Sequence, residues 1–434
     1  MDGFVPVSRP HIWGDEKLNL CQAIDGGWIS SRGPFLDEFE DRFAKKIGTR
    51  YAVAASSGTA AVHLALSVLD LDKHDEVIVP DFTMISPVLA VLACGAIPVP
   101  VDADETWNMD VEGIKRAITD RTQAIVVVHT YGHPAKIDRI MEIARRNNLR
   151  VIEDAAEALG ARVSGQPVGS FGDLAIFSFY ANKVLTTGEG GMVVTNDLEL
   201  CERVRSKRNL CFGADEETRF IHDDIGFNYR MTNLQAAVGL AQLQHLDEAV
   251  AAKIAIAREY TSRLRDFLGI SIPPDSNWGP NVYWVYGILI EDEFGLDRKT
   301  VQAELKRNGI ETRRFFHPLH RQPIIPKAGI REEFPKSGRI SERGMYLPSF
   351  IGMGSSTIER VVDCLTACAV RRAIRGMPGL AIMGYDTALD PTCSDTTPIK
   401  PGGHSTTMLS CRATASAPAC PACLNWQIGR SDYR

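Results

Sequence analysis

Val151-Ile152-Glu153-Asp154-Ala155-Ala156-Glu157 sets a short β-branched run directly before a cluster of carboxylates. Val151 to Glu153 reads as a strand, and a strand turns successive side chains to opposite faces. Glu153 and Asp154 are therefore expected on different sides, with different jobs. Working outward, Ile137 to Asn147 carries a helical period, and Ala124 to Val128 is a strand rich in β-branched residues. Tyr51 to Ala54, Val77 to Pro80 and Pro98 to Val101 read as earlier strands. Gly58 to Leu71, Ile85 to Cys94 and Val111 to Ile118 are helices among them. Leu174 to Phe179 and Met192 to Thr195 add two later strands. This alternation predicts an α/β fold with a mostly parallel sheet between helices.

After about residue 235 the texture changes. Leu234 to Phe267 is a long helical pattern with few breaks, linking a large region to a smaller one. There Tyr283 to Ile290 reads as a strand and Arg298 to Asn308 as a helix stopped by Gly309. The expected organisation is a large α/β domain with an N-terminal arm over 1–245 and a small α+β domain over 246–375. Pro, Gly, Ser, Thr and Cys dominate residues 376–434, which are expected to form a poorly ordered tail.

Of the 434 residues, 44% are hydrophobic and 24% charged, the balance of a soluble globular protein. The net charge of -6 includes no basic block, so nucleic acid is not an expected partner. MDGFVPVSRP lacks the pattern of a secretory signal, and the apolar stretches are too short to span a bilayer. No membrane association is expected, and a cytoplasmic location is. The ten cysteines follow no regular spacing and read as free thiols. Cys420-Pro421-Ala422-Cys423, with Cys411 and His404 nearby, supplies a single CxxC, so no metal site is expected.

Four segments carry candidate chemistry, each at a strand end or helix start, where ligands bind in open α/β sheets. Ser56-Ser57-Gly58-Thr59 offers helix-start amides to a phosphate, though it also reads as a plain N-cap. Asp154 and its neighbours fit a partner for a protonated ring nitrogen, a metal site, or a helix N-terminal charge. Lys183 sits in an apolar, Gly-flanked loop just past a strand. Desolvation there lowers a lysine pKa and yields the neutral amine that makes a Schiff base. Ser178, in the same run, could donate to a phosphate. Gly226 to Asn233 reads as a loop opening a helix, with Thr232 or Asn233 as N-cap.

In this order IEDAAEALG (152–160), GDLAIFSFYANKVLTTGEGGM (172–192) and GFNYRMTNLQAAVGLAQL (226–243) resemble the DegT-type sugar-nucleotide aminotransferases. The resemblance runs from about Ile12 to Val370. WISSRGPFLDEFE (28–40) and FFHPLHRQP (315–323) are similar to the GDP-perosamine synthase branch of that family. It implies the pyridoxal 5′-phosphate (PLP) transferase fold of type I, a cycle through pyridoxamine 5′-phosphate, and a part in O-antigen and lipopolysaccharide biosynthesis. Lys183 would hold the cofactor covalently. Asp154 would keep its pyridine nitrogen protonated. Ser57, Gly58, Thr59 and Ser178 would bind its phosphate, and Asn228 would reach that phosphate from the neighbouring subunit of a homodimer with shared active sites. Glu157 would touch both cofactor and sugar, with His317 and Arg313 on the substrate. The substrates would be L-glutamate and a nucleotide-linked 4-keto-6-deoxysugar, first of all GDP-4-keto-6-deoxymannose. UDP- and dTDP-sugars are alternatives. Relatives that act as sugar dehydratases replace the lysine with histidine, and position 183 is lysine. A non-catalytic binding protein would not need the full set of Lys183, Asp154 and Ser178.

Two positions depart from the family pattern. Met84 follows Pro80-Asp81-Phe82-Thr83 where an aromatic residue usually stacks on the cofactor; a thioether can also pack on a ring face. His133 follows His129-Thr130-Tyr131-Gly132 where glutamine is frequent, and could donate to the cofactor's ring oxygen.

Overall fold

The computed structural model describes residues 3–213 and 215–375. Two helices, α1 (Asp15–Asp25) and α2 (Pro34–Ile47), precede the main sheet. The chain then alternates β1 (Tyr51–Ala55), α3 (Gly58–Ser67), β2 (Glu76–Pro80), α4 (Ser86–Ala93), β3 (Ile97–Val101), α5 (Val111–Ala117), β4 (Thr122–Val128), α6 (Ile137–Arg146) and β5 (Arg150–Asp154). A small hairpin of β6 (Arg162–Val163) and β7 (Gln166–Pro167) leads to β8 (Leu174–Ser178) and β9 (Gly191–Thr195). The seven long strands lie in the order β1-β9-β8-β5-β4-β2-β3. Only β9 runs antiparallel to its neighbours; the other pairs are parallel.

Burial on both faces explains why these strands read as continuous apolar runs. Ile125, Val127 and Val151 face one core with Phe39, Phe43 and Phe177. Ala124, Val126 and Ile152 face the other with Leu64, Leu66 and Val88. Each such Val or Ile side chain contributes roughly 1.5–3 kcal/mol on burial.

Several boundaries differ from the sequence reading. The α3 helix stops at Ser67, because Leu69 already closes back on Leu66 and Asp70 takes φ 53°. The long pattern after residue 233 is two helices, α8 (Asn233–Gln244) and α9 (Leu246–Leu264), broken at His245. Thr232 caps α8 in a reciprocal box with Gln235. The acidic and basic run at Leu198–Arg208 is helix α7, capped by Asp197.

A second sheet of β10 (Ile270–Ser271), β11 (Tyr286–Ile290), β12 (Arg313–Arg314) and β13 (Gly344–Leu347) is antiparallel, in the order β10-β11-β13-β12. Helices α9, α10 (Arg298–Arg307) and α12 (Ser355–Arg375) share a third core with it, while α11 (Pro335–Arg343) leads into β13. Gly309, φ 72°, follows the end of α10 as expected. The expected strand from Tyr283 begins only at Tyr286, since Tyr283 takes φ 53° in a turn. Among the described residues no helix is long and apolar enough to cross a membrane. Residues 376–434, with the expectations for the tail and its CxxC, lie outside the described residues.

Candidate active site

The carboxyl end of β5 separates its two acids. Glu153 is fully buried and accepts from the amides of Gly169, Phe171 and Gly172 at 2.7–2.8 Å, and from His129 Nε2–H at 3.2 Å. The Ala135 amide donates to His129 Nδ1, which fixes the proton on Nε2. Glu153 is thus a structural anchor for the 169–172 loop. Asp154 points the other way, accepts from the Ala156 amide at 3.1 Å, and lies within electrostatic reach of Lys183. Burial pushes its carboxyl up, opposed by the Ala156 amide and Lys183.

Lys183 stands in a tight loop closed by its amide on the Tyr180 carbonyl. Burial of the ammonium lowers its pKa, while Glu157 and Asp154 pull it back up. Its Nζ lies 3.6 Å from the centroid of the Trp284 ring. Glu157 is buried beside it and pushed up to about 7 by desolvation, with Lys183 acting against the shift. The Tyr131 amide donates to Glu157 Oε2 at 2.8 Å.

The helix start comes against the end of β8. Ser57 caps α3 by accepting from the Ala60 amide, and first-turn amides such as those of Gly58 and Thr59 have no intrahelical acceptor. A Cβ on Gly58 would lie 2.7 Å from Ser178 Cβ and 3.0 Å from its Oγ, so only glycine allows this approach. Thr59 Oγ1 and Ser86 Oγ share a hydrogen bond of 2.9 Å, tying α3 to the segment after Met84. Met84 is 48% exposed.

A second strap crosses to residues 313–320. The Phe316 amide donates to Tyr131 Oη at 3.2 Å, and Phe315 and Phe316 pack on the Tyr131 ring at 4.8 and 5.0 Å. Asp81 is buried and accepts from the His320 amide at 2.7 Å and from His320 Nδ1–H at 2.8 Å. Its carbonyl accepts from Leu319. This latch holds Met84 and His317 on segments fastened to each other. His317 is exposed, with Nδ1 3.2 Å from Arg314. Arg313 is also exposed, beside Glu311 at 3.7 Å and paired in β12 with Tyr346.

Asn228 is exposed and accepts from Arg230 Nε at 2.9 Å, while the neighbouring Tyr229 carbonyl accepts from the Ser56 amide. His133 is held by partners of its own. It is buried with Nε2 2.9 Å from Ser276 Oγ and Nδ1 3.0 Å from the Pro134 carbonyl, edge-on to Trp278. Both nitrogens are engaged, so donation to a ring oxygen is replaced by packing. Trp284 and the strained Tyr131, φ 55°, were not singled out by sequence reasoning. The aromatic run Tyr283-Trp284-Val285-Tyr286 reads as ordinary strand, and only the fold brings it to Lys183.

A desolvated lysine within electrostatic reach of two buried acids, on the loop after the strand whose Ser178 meets a glycine-opened helix start, defines the class: an α/β enzyme site. The chain belongs to the DegT/DnrJ/EryC1/StrS aminotransferase family, whose model matches residues 10–366. It is 42% identical to GDP-perosamine synthase of Caulobacter vibrioides over 83% of this chain and 97% of that protein. To GDP-perosamine synthase of Vibrio cholerae it is 39% identical, over 83% and 98%. Among solved structures, DesV of S. venezuelae is similar with a TM-score of 0.76 at 36% identity, covering 82% of this chain and 94% of that one.

Proposed function

We propose that this chain is a PLP-dependent aminotransferase that moves the amino group of L-glutamate onto a nucleotide-linked 4-keto-6-deoxysugar, with GDP-4-keto-6-deoxymannose as acceptor and GDP-perosamine as product. The observation that carries the chemistry is Lys183, held with its Nζ over the Trp284 ring, desolvated and within electrostatic reach of Glu157 and Asp154. The substrate identity is supported by the two perosamine synthase relatives. A place in O-antigen and lipopolysaccharide assembly follows from that product.

The residues present fit the cofactor. Gly58 leaves the room at Ser178 that a Cβ would fill. The hydroxyls of Thr83 and Thr130 are buried with no partner among the described residues, in the segments that carry Met84 and Tyr131. When bound, PLP supplies an electron sink for the substrate carbon that loses its proton. Lys183 would hold the cofactor, and its amine, once released, would take and return the proton of the substrate carbon. Asp154 keeps the proton on the pyridine nitrogen. Ser57, Gly58, Thr59 and Ser178 would hold the phosphate, and Met84 would lie against the ring. Glu157 orients the cofactor's ring edge and the sugar, while His317 and Arg313 meet the substrate from the 313–317 segment.

A homodimer belongs to the same proposal. Leu18, Ile24, Trp28 and Ile29 are exposed large hydrophobics on and just after α1, and Asn228 points outward where it can serve a partner's phosphate site. Residues 1–245 would carry the cofactor and residues 246–375 would close over it. A product assay over GDP-, UDP- and dTDP-linked keto-sugars with L-glutamate tests the reading. Amination at C4 of the GDP-sugar is expected; exclusive amination of a 3-keto sugar overturns the perosamine assignment.

A further inference from the structure

We propose that Trp284 is a positioning residue whose indole face holds the Lys183 amine, whenever it is free during turnover, as an ammonium at one fixed place. The inference rests on Lys183 being the cofactor lysine. The Nζ–centroid distance of 3.6 Å is well inside the ~6 Å range of a cation–π contact. Trp284 is 7% exposed, and such contacts strengthen when water is excluded.

The ring is fixed at both ends. Its Nε1–H donates to the Asn182 carbonyl at 2.9 Å, so one side chain grips the backbone just before Lys183 and faces the amine of Lys183 itself. Its backbone is set by a turn against Tyr131-Gly132. The Gly132 carbonyl accepts from Val282 at 3.0 Å, and a Cβ on Gly132 would lie 2.7 Å from the Trp284 amide nitrogen. Tyr131 and Tyr283, both with positive φ, flank this closure. Strained residues that converge on one side chain point to a site held in place by its surroundings.

The charges around Nζ explain why an aromatic face suits this position. Asp154 and Glu157 favour the ammonium, and burial opposes it. Arg9, His11 and Lys253 line the small chamber onto which Lys183 and Trp284 also open. A third carboxylate would attract the ammonium but also compete for its proton. An indole face attracts the cation and cannot take the proton, so it favours the charged amine while leaving the lysine as the carrier.

The test is the titration of Lys183 in the full-length chain, kept in excess pyridoxamine 5′-phosphate so that the lysine is free. Trace labelling with isotopic acetic anhydride across pH, read on the peptide that contains residue 183, gives its apparent pKa. Trp284→Phe and Trp284→Leu are compared, since both lose the bond to Asn182 and only one keeps a π face. The Leu variant is expected to titrate about one unit below the Phe variant. Should the Leu variant fail to fold, biosynthetic incorporation of fluorinated tryptophans gives a graded series at nearly constant shape, with the pKa falling as fluorine is added. Equal pKa values for Phe and Leu, or no trend across the fluorinated series, overturn the proposal. Labelling of the cofactor-free chain reads the same contact, so a failure of Lys183 to hold PLP is distinguishable from a failure of Trp284 to hold Lys183.

Discussion

The Tyr131 amide donates to the Glu157 carboxylate at 2.8 Å, and Tyr131 takes φ 55° to place it there. A non-glycine residue in that region costs on the order of 1 kcal/mol or more. The surroundings hold it: its hydroxyl accepts from Phe316 and its ring packs on Phe315. The strain is localised where a buried acid meets the candidate lysine.

Glu157 stays protonated to about pH 7 in the folded chain, against 4.5 for an ordinary glutamate. Between these values the native state keeps a proton that the unfolded chain has lost. Its contribution to stability therefore falls as pH rises through this window, and the burial cost is complete above about pH 7. Glu157→Gln removes the titration. Thermal melts from pH 4 to 8 should show the variant gaining on the wild type across the window; a difference independent of pH would mean that Glu157 titrates normally.

The Asp81–His320 latch is buried on the acid side. His320→Ala leaves the Asp81 carboxyl without its imidazole and should cost about 3 kcal/mol in urea unfolding. The site should loosen as well, with KM for the sugar nucleotide rising more than kcat falls, because Met84 and His317 lie on the two segments the latch joins. Wild-type KM in a destabilised variant would show that the latch serves stability alone.

At Gly58 the added methyl of Gly58→Ala meets Ser178 Cβ at 2.7 Å. Overpacking of this kind costs about 1–3 kcal/mol. Cofactor affinity, followed by absorbance titration, should fall by at least tenfold because the collision lies at the proposed phosphate site. Unchanged affinity would move the phosphate elsewhere.

Asp154→Asn keeps the shape and removes the charge that would hold the pyridine proton. Amino transfer should fall by about 10²–10⁴-fold with cofactor still bound. A loss below tenfold in single-turnover kinetics would remove Asp154 from that role.

Much of the sheet is legible in the sequence because β2, β4 and β5 are buried on both faces and each holds an unbroken apolar run, over residues 77–79, 124–128 and 151–152. The opposite facing of Glu153 and Asp154 follows from strand geometry alone, and the structure keeps it. Helix ends were less legible. His245 breaks the long pattern after Asn233 through its backbone angles, although both flanking helices are rich in alanine and leucine. The packing of His133 was not legible because the partners of its ring, Asn108 and Ser276, are distant in sequence. Trp284 was missed for the same reason: 101 positions separate it from Lys183, and only the turn at Tyr131-Gly132 brings it in.

Reduction of the holoenzyme with borohydride, followed by digestion and mass spectrometry, fixes the position of the covalently held cofactor. A phosphopyridoxyl group on the peptide spanning residues 181–187, at Lys183, is the predicted result. A label on Lys253 or on any other lysine contradicts the account.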